Sequence, residues 1–466
     1  MSDKLVSQIR IAKLFGLYSY TLPDNSYFKN ASILYGDNGV GKSTILRLAF
    51  HLLSAAHDRG HRTALYGTTF ETLEIDLTSG HCIAAKFIEG EKSGSPKTLS
   101  LSIKDGKETL VIWDYIPKAR QESLHADYGE ILLELTRKAA QKVIKNERHQ
   151  KKPEKQSGLR GEQAYIEILK RIAPTIYILN AERRLNSDAV ADPSDEVELR
   201  RMMHYEEARK INDLVARSRE IALTQALSAA SKWIAKKAVQ SANKGSENVH
   251  SVYANVLKHL VESPTENGVG ISEIDIVTMA KQLENIETKT LALAQYEFAT
   301  PLSTKEFKEA LSSHSVSTRK LVSNLLNPYI NSLDGRLNAI EPMYIIINRF
   351  ILTVNGLLTD KSMFFNLSQG FSFRNKNNEV LVPGQLSSGE QQLLLLFCYV
   401  LVARDTPSIF MIDEPEISLN IKWQRQLIQA LLDITSDSRI QFIFASHSLE
   451  LLSQHRNRVV KLMSTI

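Results

Sequence analysis

The stretch Ile33-Leu34-Tyr35-Gly36-Asp37-Asn38-Gly39-Val40-Gly41-Lys42-Ser43-Thr44-Ile45-Leu46 decides the fold. Gly36 to Ser43 keep the spacing G-x-x-x-x-G-K-[ST], with an apolar strand before them and the amphipathic run Thr44–Leu53 after them. Glycines let a backbone wrap around an anion, and the free N–H groups of the first helical turn, with the helix dipole behind them, point at it. In that setting Lys42 carries a positive charge to the β- and γ-phosphates of ATP, and the Ser43 hydroxyl is a ligand for Mg²⁺. Gly36, Asp37, Asn38, Gly39, Val40, Gly41 and Thr44 complete the expected cradle.

Far downstream, Ser408–Ile412 is a continuous apolar run, the composition of a parallel strand buried on both faces, and it ends in Asp413-Glu414. Asp413 is expected to hold the Mg²⁺, commonly through water, and Glu414 to polarise the water that attacks the γ-phosphate. Without the phosphate loop, the same two acids would read as a surface pair ahead of Pro415. Two further pieces flank this strand. Leu386-Ser387-Ser388-Gly389-Glu390 ends 23 residues before Asp413, and Ala445-Ser446-His447 follows the apolar run Gln441–Phe444. Taken alone, His447 reads as a satisfied histidine at a strand end, and Ser387 or Ser388 as the cap of the long apolar helix that begins near Glu390.

The order of these pieces resembles the ABC-type ATPases. Ser388 and Glu390 depart from the transporter form LSGGQ, and this departure is similar to the RecF, SMC and OLD-like branch. The resemblance implies an α/β fold, an ABC-type P-loop ATPase head with a β-rich lobe and a large helical insertion. It implies a homo-oligomer built on ATP-sandwich dimers, with Ser387, Ser388 and Gly389 of one copy closing over the γ-phosphate held by Lys42 of another. It also implies Lys42, Glu414 and His447 as the catalytic set, His447 being the γ-phosphate sensor, and Glu416–Asn420 as the segment that runs along the dimer seam. YGDNGVGKSTILRL (35–48) with IDEPEISLNIKWQ (412–424) is similar to ATPase subunits of two-component bacterial antiphage systems, the AriA type of PARIS and, less closely, the PtuA type of Septu. In such systems a separate nuclease, TOPRIM-like or HNH, supplies the toxic activity, and a nucleic acid or phage protein is the expected trigger. Only 19 residues follow His447, which leaves no room for the TOPRIM domain of OLD-like nucleases and is the basis for expecting a separate effector.

Four segments are expected. Residues 1–115 read as the β-rich lobe with the phosphate loop. Residues 116–195 hold a helical segment, a basic stretch and the returning strand Thr175–Leu179. Residues 196–358 form a helical insertion and assembly domain, in which Leu337, Ile340, Tyr344, Ile347, Ile351 and Val354 fall at helix spacing. No heptad pattern is sustained there, so a compact domain is expected rather than a long coiled-coil arm. Residues 359–466 return to the head, starting with strands near 363–367, 370–373 and 379–382. Tyr18 or Tyr20 reads either as a stacking partner for adenine or as a strand tyrosine packed on the sheet. Arg183 and Arg184, after the 175–179 strand, read as phosphate contacts or as surface charges. No glutamine stands out as a Q-loop residue.

Composition sets the outer limits. With 466 residues, 43% hydrophobic and 23% charged, the chain is globular material for two or three domains. Its start lacks the apolar stretch of a signal peptide, and the apolar run Leu393–Ala403 is too short to span a bilayer, so a cytoplasmic protein without membrane partners is expected. Cys82 and Cys398 have no metal-ligand spacing, and His51, His57 and His61 lack the cysteine or carboxylate framework of a zinc site. The net charge of +5 is unevenly placed: nine basic residues against two acids lie between Arg137 and Arg160. That stretch reads equally as a nucleic-acid footprint and as a solvated helix end. It keeps a RecF-like DNA-binding repair clamp open as the alternative to a subunit that controls a nuclease.

Overall fold

The structure, a computed structural model, describes residues 5–56, 59–88, 97–117, 159–180, 185–187, 209–246, 273–312, 316–417 and 419–464. Most of the basic stretch, Arg183 and Arg184, His57, and the region around Gly268 and Gly270 lie outside these.

Among the described residues, a six-stranded sheet forms the centre. Its order is β10 (Leu185–Ser187), β9 (Thr175–Leu179), β14 (Ser408–Asp413), β15 (Ile440–Ala445), β3 (Ala31–Tyr35), β16 (Val459–Lys461), with all pairs parallel except β10 against β9. Every residue of β14 and β15 is buried, which is why both sequences read as unbroken apolar runs rather than alternations. Alternate residues serve two different cores. Ile409, Met411 and Ile443 face a core shared with α1 (Lys42–Leu53) and with α3 (Glu162–Ile172). Phe410, Ile412, Phe442 and Phe444 face the opposite core. On that second face the in-register pair Tyr177 and Phe410 stack at 4.3 Å, and Phe442 continues the row at 5.7 Å from Phe410.

The first core is closed by a seven-stranded sheet, antiparallel except at one edge, in the order β2 (Tyr18–Leu22), β1 (Val6–Leu14), β4 (Thr72–Leu77), β5 (His81–Ile88), β6 (Thr98–Asp105), β7 (Glu108–Tyr115), β8 (Leu159–Arg160). The short α2 (His61–Tyr66) follows α1, and their junction is held by a contact of 2.9 Å between the Nδ1 atoms of His51 and His61. Burial, and the nearby charges of Arg62 and Arg59, push His61 down to about 4.

The helical region is α4 (Arg209–Ser246), α5 (Glu273–Ala294), α6 (Lys305–Leu311) and α7 (Val316–Leu357), the last with Pro328 and Pro342 inside it. The expected helix spacing is realised in α7, where Leu337, Ile340, Ile347, Ile351 and Val354 are buried. These helices do not stand apart from the head. Leu223, Leu227 and Ile234 of α4 and Ile347 and Phe350 of α7 share one core with the central sheet and with the helices α8 (Ser388–Val402) and α9 (Ile421–Ile434). The Trp423 indole of α9 donates to the Leu357 carbonyl at the end of α7 (2.6 Å). Leu325–Leu357 within α7 is long and apolar enough, by length and composition alone, to cross a membrane, although it includes no apolar run as unbroken as Leu393–Ala403.

The strands expected after residue 360 form their own small sheet, β11 (Lys361–Asn366), β12 (Gly370–Asn375) and β13 (Val380–Leu381). A turn at 383–385 then leads into α8, and the chain ends with β14, α9, β15, α10 (Leu449–Gln454) and β16.

Candidate phosphate-binding and hydrolysis site

Parallel register brings the chemistry to one edge. Asp413 pairs with Ala445, and Ala445 with Leu34, so the chain segments leaving β3, β14 and β15 emerge side by side. This is where open α/β sheets place their ligands. The loop after β3 reaches α1 through Gly41, whose φ of 95° suits glycine and whose added Cβ would fall 2.7 Å from Leu14 Cδ2. Gly39 also has positive φ, at 84°. Lys42 Nζ donates to the carbonyls of Gly36 (2.7 Å) and Asp37 (2.9 Å), which holds the ammonium at the loop.

Ser43 Oγ donates to Asp413 Oδ1 at 2.8 Å, across 370 residues of sequence. Asp413 is only 8% exposed, and burial pushes its carboxyl up; the Ser43 hydrogen bond pulls it down, while Glu414 and Glu416 add repulsion against the nearby charge of Arg47. A hydroxyl and a carboxylate oxygen held together are the hard oxygen donors that Mg²⁺ takes beside phosphates, so these two residues fit the ion. Glu414 has φ of 48°, the left-handed region that a non-glycine residue adopts at a cost of about 1 kcal/mol or more, and its N–H donates to Ala445 O at 2.8 Å. Glu414 and His447 join Asn38, Gly39, Gly41, Lys42, Ser43 and Thr44 around a cleft of about 400 Å³.

Other expected residues lie elsewhere. Ser387 caps α8: its side chain accepts from Glu390 N, and the Glu390 side chain accepts from Ser387 N at 2.6 Å. Ser387 and Ser388 are exposed while Gly389 is buried, and none of the three lines the cleft. Capping, the local reading of the sequence, is therefore realised.

Adenine stacking on Tyr20 is not. Tyr20 is 3% exposed and its hydroxyl donates to Val40 O at 3.0 Å, so it braces the phosphate loop from behind, with Tyr18 stacked on it at 5.9 Å. The aromatic that does line the cleft is Phe15, 42% exposed in the turn between β1 and β2, which sequence reading passed over. Its signal was slight, an aromatic next to Gly16. Also unforeseen was Lys361 at the start of β11, whose ammonium lies 2.7 Å from the buried Glu390 carboxylate. The parallel register of β9 with β14 ends at the pair Leu179 and Ile412, one residue before Asn180 and Asp413.

A glycine-rich phosphate loop, an acid-tipped parallel strand bonded to it and a histidine-tipped strand between them define the P-loop ATPase class. Residues 153–453 match AAA_21, described as "AAA domain, putative AbiEii toxin, Type IV TA system", and the chain belongs to that family. The matched span contains the 386–390 segment, the acid pair and His447, and begins after the phosphate loop. The molybdenum import ATP-binding protein ModC of Escherichia coli K12 and that of Shigella flexneri are each 35% identical over 81 residues, 17% of this chain and 22% of theirs. This chain thus spans about a fifth of the curated relatives it matches. Among solved structures, the Smc head domain of Pyrococcus furiosus, with an extended coiled coil and bound to the C-terminal domain of ScpA, is 13% identical with a TM-score of 0.33, covering 99% of this chain and 96% of that one. The Smc head domain of Pyrococcus yayanosii is 14% identical with a TM-score of 0.32, covering 99% and 97%.

Proposed function

We propose that this chain hydrolyses ATP at a site shared between two copies, and that the ATP state governs a separate nuclease within a bacterial antiphage complex. Lys42 compensates charge on the β- and γ-phosphates, Glu414 orients and polarises the attacking water, and His447 contacts the γ-phosphate. Ser43 and Asp413 would hold Mg²⁺, which would supply further neutralisation of phosphate charge. One observation carries the shared site: the serines at the start of α8 are exposed and outside the cleft, while Lys42, Ser43, Glu414 and His447 line it. Packing of α4 along α8 gives the helical region a mechanical route to those serines. The family description refers to a toxin–antitoxin system, an arrangement of two components, and this supports the reading that the chain acts with a partner.

Mixing Lys42→Ala with Ser387→Arg chains tests the shared site. Each variant is expected to be inactive alone, and random pairing restores roughly a quarter of the sites, because each mixed pair keeps one intact half-site combination. No recovery in a mixture shown to associate would rule out closure between copies. Copurification of a nuclease encoded by the adjacent gene tests the defence role. The repair-clamp reading draws on the basic stretch between Arg137 and Arg160. It predicts ATP turnover stimulated by duplex DNA and lost on charge reversal of Lys151, Lys152 and Lys155.

A further inference from the structure

Just beyond the acid pair stands a third acid, Glu416, for which the proposed reaction has no use. Its side chain is 9% exposed. Oε1 accepts from the Ser446 hydroxyl at 2.9 Å and from the His447 main-chain N–H at 3.1 Å, so one carboxylate oxygen holds the chain where it leaves β15. Gln424 of α9 braces the same two segments from the other side, donating to the carbonyls of Glu416 (3.3 Å) and Leu419 (2.9 Å) and accepting from the Ser448 hydroxyl (2.9 Å). The second oxygen, Oε2, is buried and has no hydrogen-bond partner among the described residues. A buried acceptor left open costs desolvation energy, and such atoms commonly mark a functional demand.

The His447 ring lies beside the other oxygen of the same carboxylate, the one that holds the chain. Nδ1 lies 3.6 Å from Glu416 Oε1 and 3.8 Å from Glu414 Oε1, outside bonding distance of either and facing both. The ring is half exposed.

We propose that Glu416 is a positioning residue for His447. It fixes the main chain of residues 446 and 447 and draws the Nδ1 edge of the ring toward its own carboxylate. That leaves Nε2 for the cleft His447 lines, and it keeps the ring off Glu414, whose carboxylate stays open for water. A ring in contact with Glu414 would compete with the water for the same oxygen. The proposal rests on the hydrolysis reading for its consequence, and on contacts within the chain for its geometry.

The test combines ring NMR and kinetics on the full chain. Protein labelled with ¹⁵N-histidine carries twelve histidines, and the His447 signals are those lost in His447→Gln. In Glu416→Ala the His447 ring signals are expected to move while those of His51 and His61, in the α1–α2 junction, stay in place. Turnover should fall about 10- to 100-fold, the usual worth of an outer residue that orients a histidine, at unchanged ATP affinity by equilibrium binding. Glu416→Gln keeps a carbonyl acceptor for Ser446 and the His447 N–H, so it should recover part of the loss and serves if the alanine variant does not fold. Unmoved His447 signals in both variants, or a loss that lies wholly in ATP affinity, would overturn the proposal. If His447 signals respond as expected while the wild-type chain turns over no ATP, the positioning contact stands and the hydrolysis reading fails.

Discussion

At the phosphate loop, Lys42, Ser43, Asp413 and Tyr20 are tied to one another or to the backbone by hydrogen bonds within the chain. At the start of α8 the arrangement is reversed. The acid Glu390 is buried and held by Lys361 and the cap, while Ser387 and Ser388 face outward. One region is tied together by bonds within the chain; the other is a scaffolded turn that leaves two serines on the surface. The difference teaches where the proposed function needs association: the loop has its own contacts within the chain, whereas serines outside the cleft would meet the proposed phosphate only if another copy brought it.

The largest expected effects lie in the region of the phosphate loop. Lys42→Ala should lose nucleotide affinity in a binding titration, whereas Glu414→Gln should bind ATP as the wild type does while single-site turnover drops roughly 10²–10⁴-fold. Wild-type turnover in Glu414→Gln would remove it from the reaction and blur the contrast. In the scaffolded region Lys361→Ala strands a buried carboxylate, and about 3 kcal/mol of stability should be lost in denaturant titration. The double change Lys361→Ala with Glu390→Gln should recover most of it, and a simple sum of the two single effects would show that the pair does not act as a unit.

Phe15→Ala should weaken ATP about tenfold if the ring stacks on the base, since such contacts carry ~1–3 kcal/mol. The triphosphate alone should bind as before. Equal weakening of both ligands would mean that Phe15 only props the loop at Gly41.

The smallest effect concerns pH. The Asp413 carboxyl is raised in the fold by burial, so its ionised form costs the fold stability above its ordinary value of 3.8, and the cost is complete at neutral pH. Nucleotide-free Asp413→Asn should therefore melt higher than the wild type at pH 7, with the advantage shrinking as pH is lowered. A variant that melts lower would show that the Ser43 bond outweighs the burial.

Much of the site could be read directly because its parts are local. Spacing alone identifies Gly36–Ser43, since the glycines and lysine must be near neighbours to wrap one anion. The unbroken apolar runs before Asp413 and Ser446 announce buried parallel strands, and Ser387 with Glu390 announces a helix cap. Harder cases involve partners far apart. Tyr20 and Phe15 are both aromatics near the loop, and only the path of β1 and β2 puts one behind it and the other in the cleft. Thr175–Leu179 looked like a strand returning from a helical segment, yet it pairs in register with β14 and so belongs to the centre of the head. The insertion reads as a compact helical domain, and the sequence does not show that apolar residues of α4 and α7 share one core with α8 and α9.

What the amino-acid order determined by itself was each backbone conformation that short-range sterics and capping control: the glycine loop, the buried strands, the capped helix. Tertiary structure alone decided which of these meet. Ser43 reaches Asp413 because β3 and β14 sit on either side of β15, and Lys361 reaches Glu390 because β11 runs beside the start of α8. Sheet order and helix packing are set by the burial of faces drawn from the whole chain, and neither can be read from any one stretch of it.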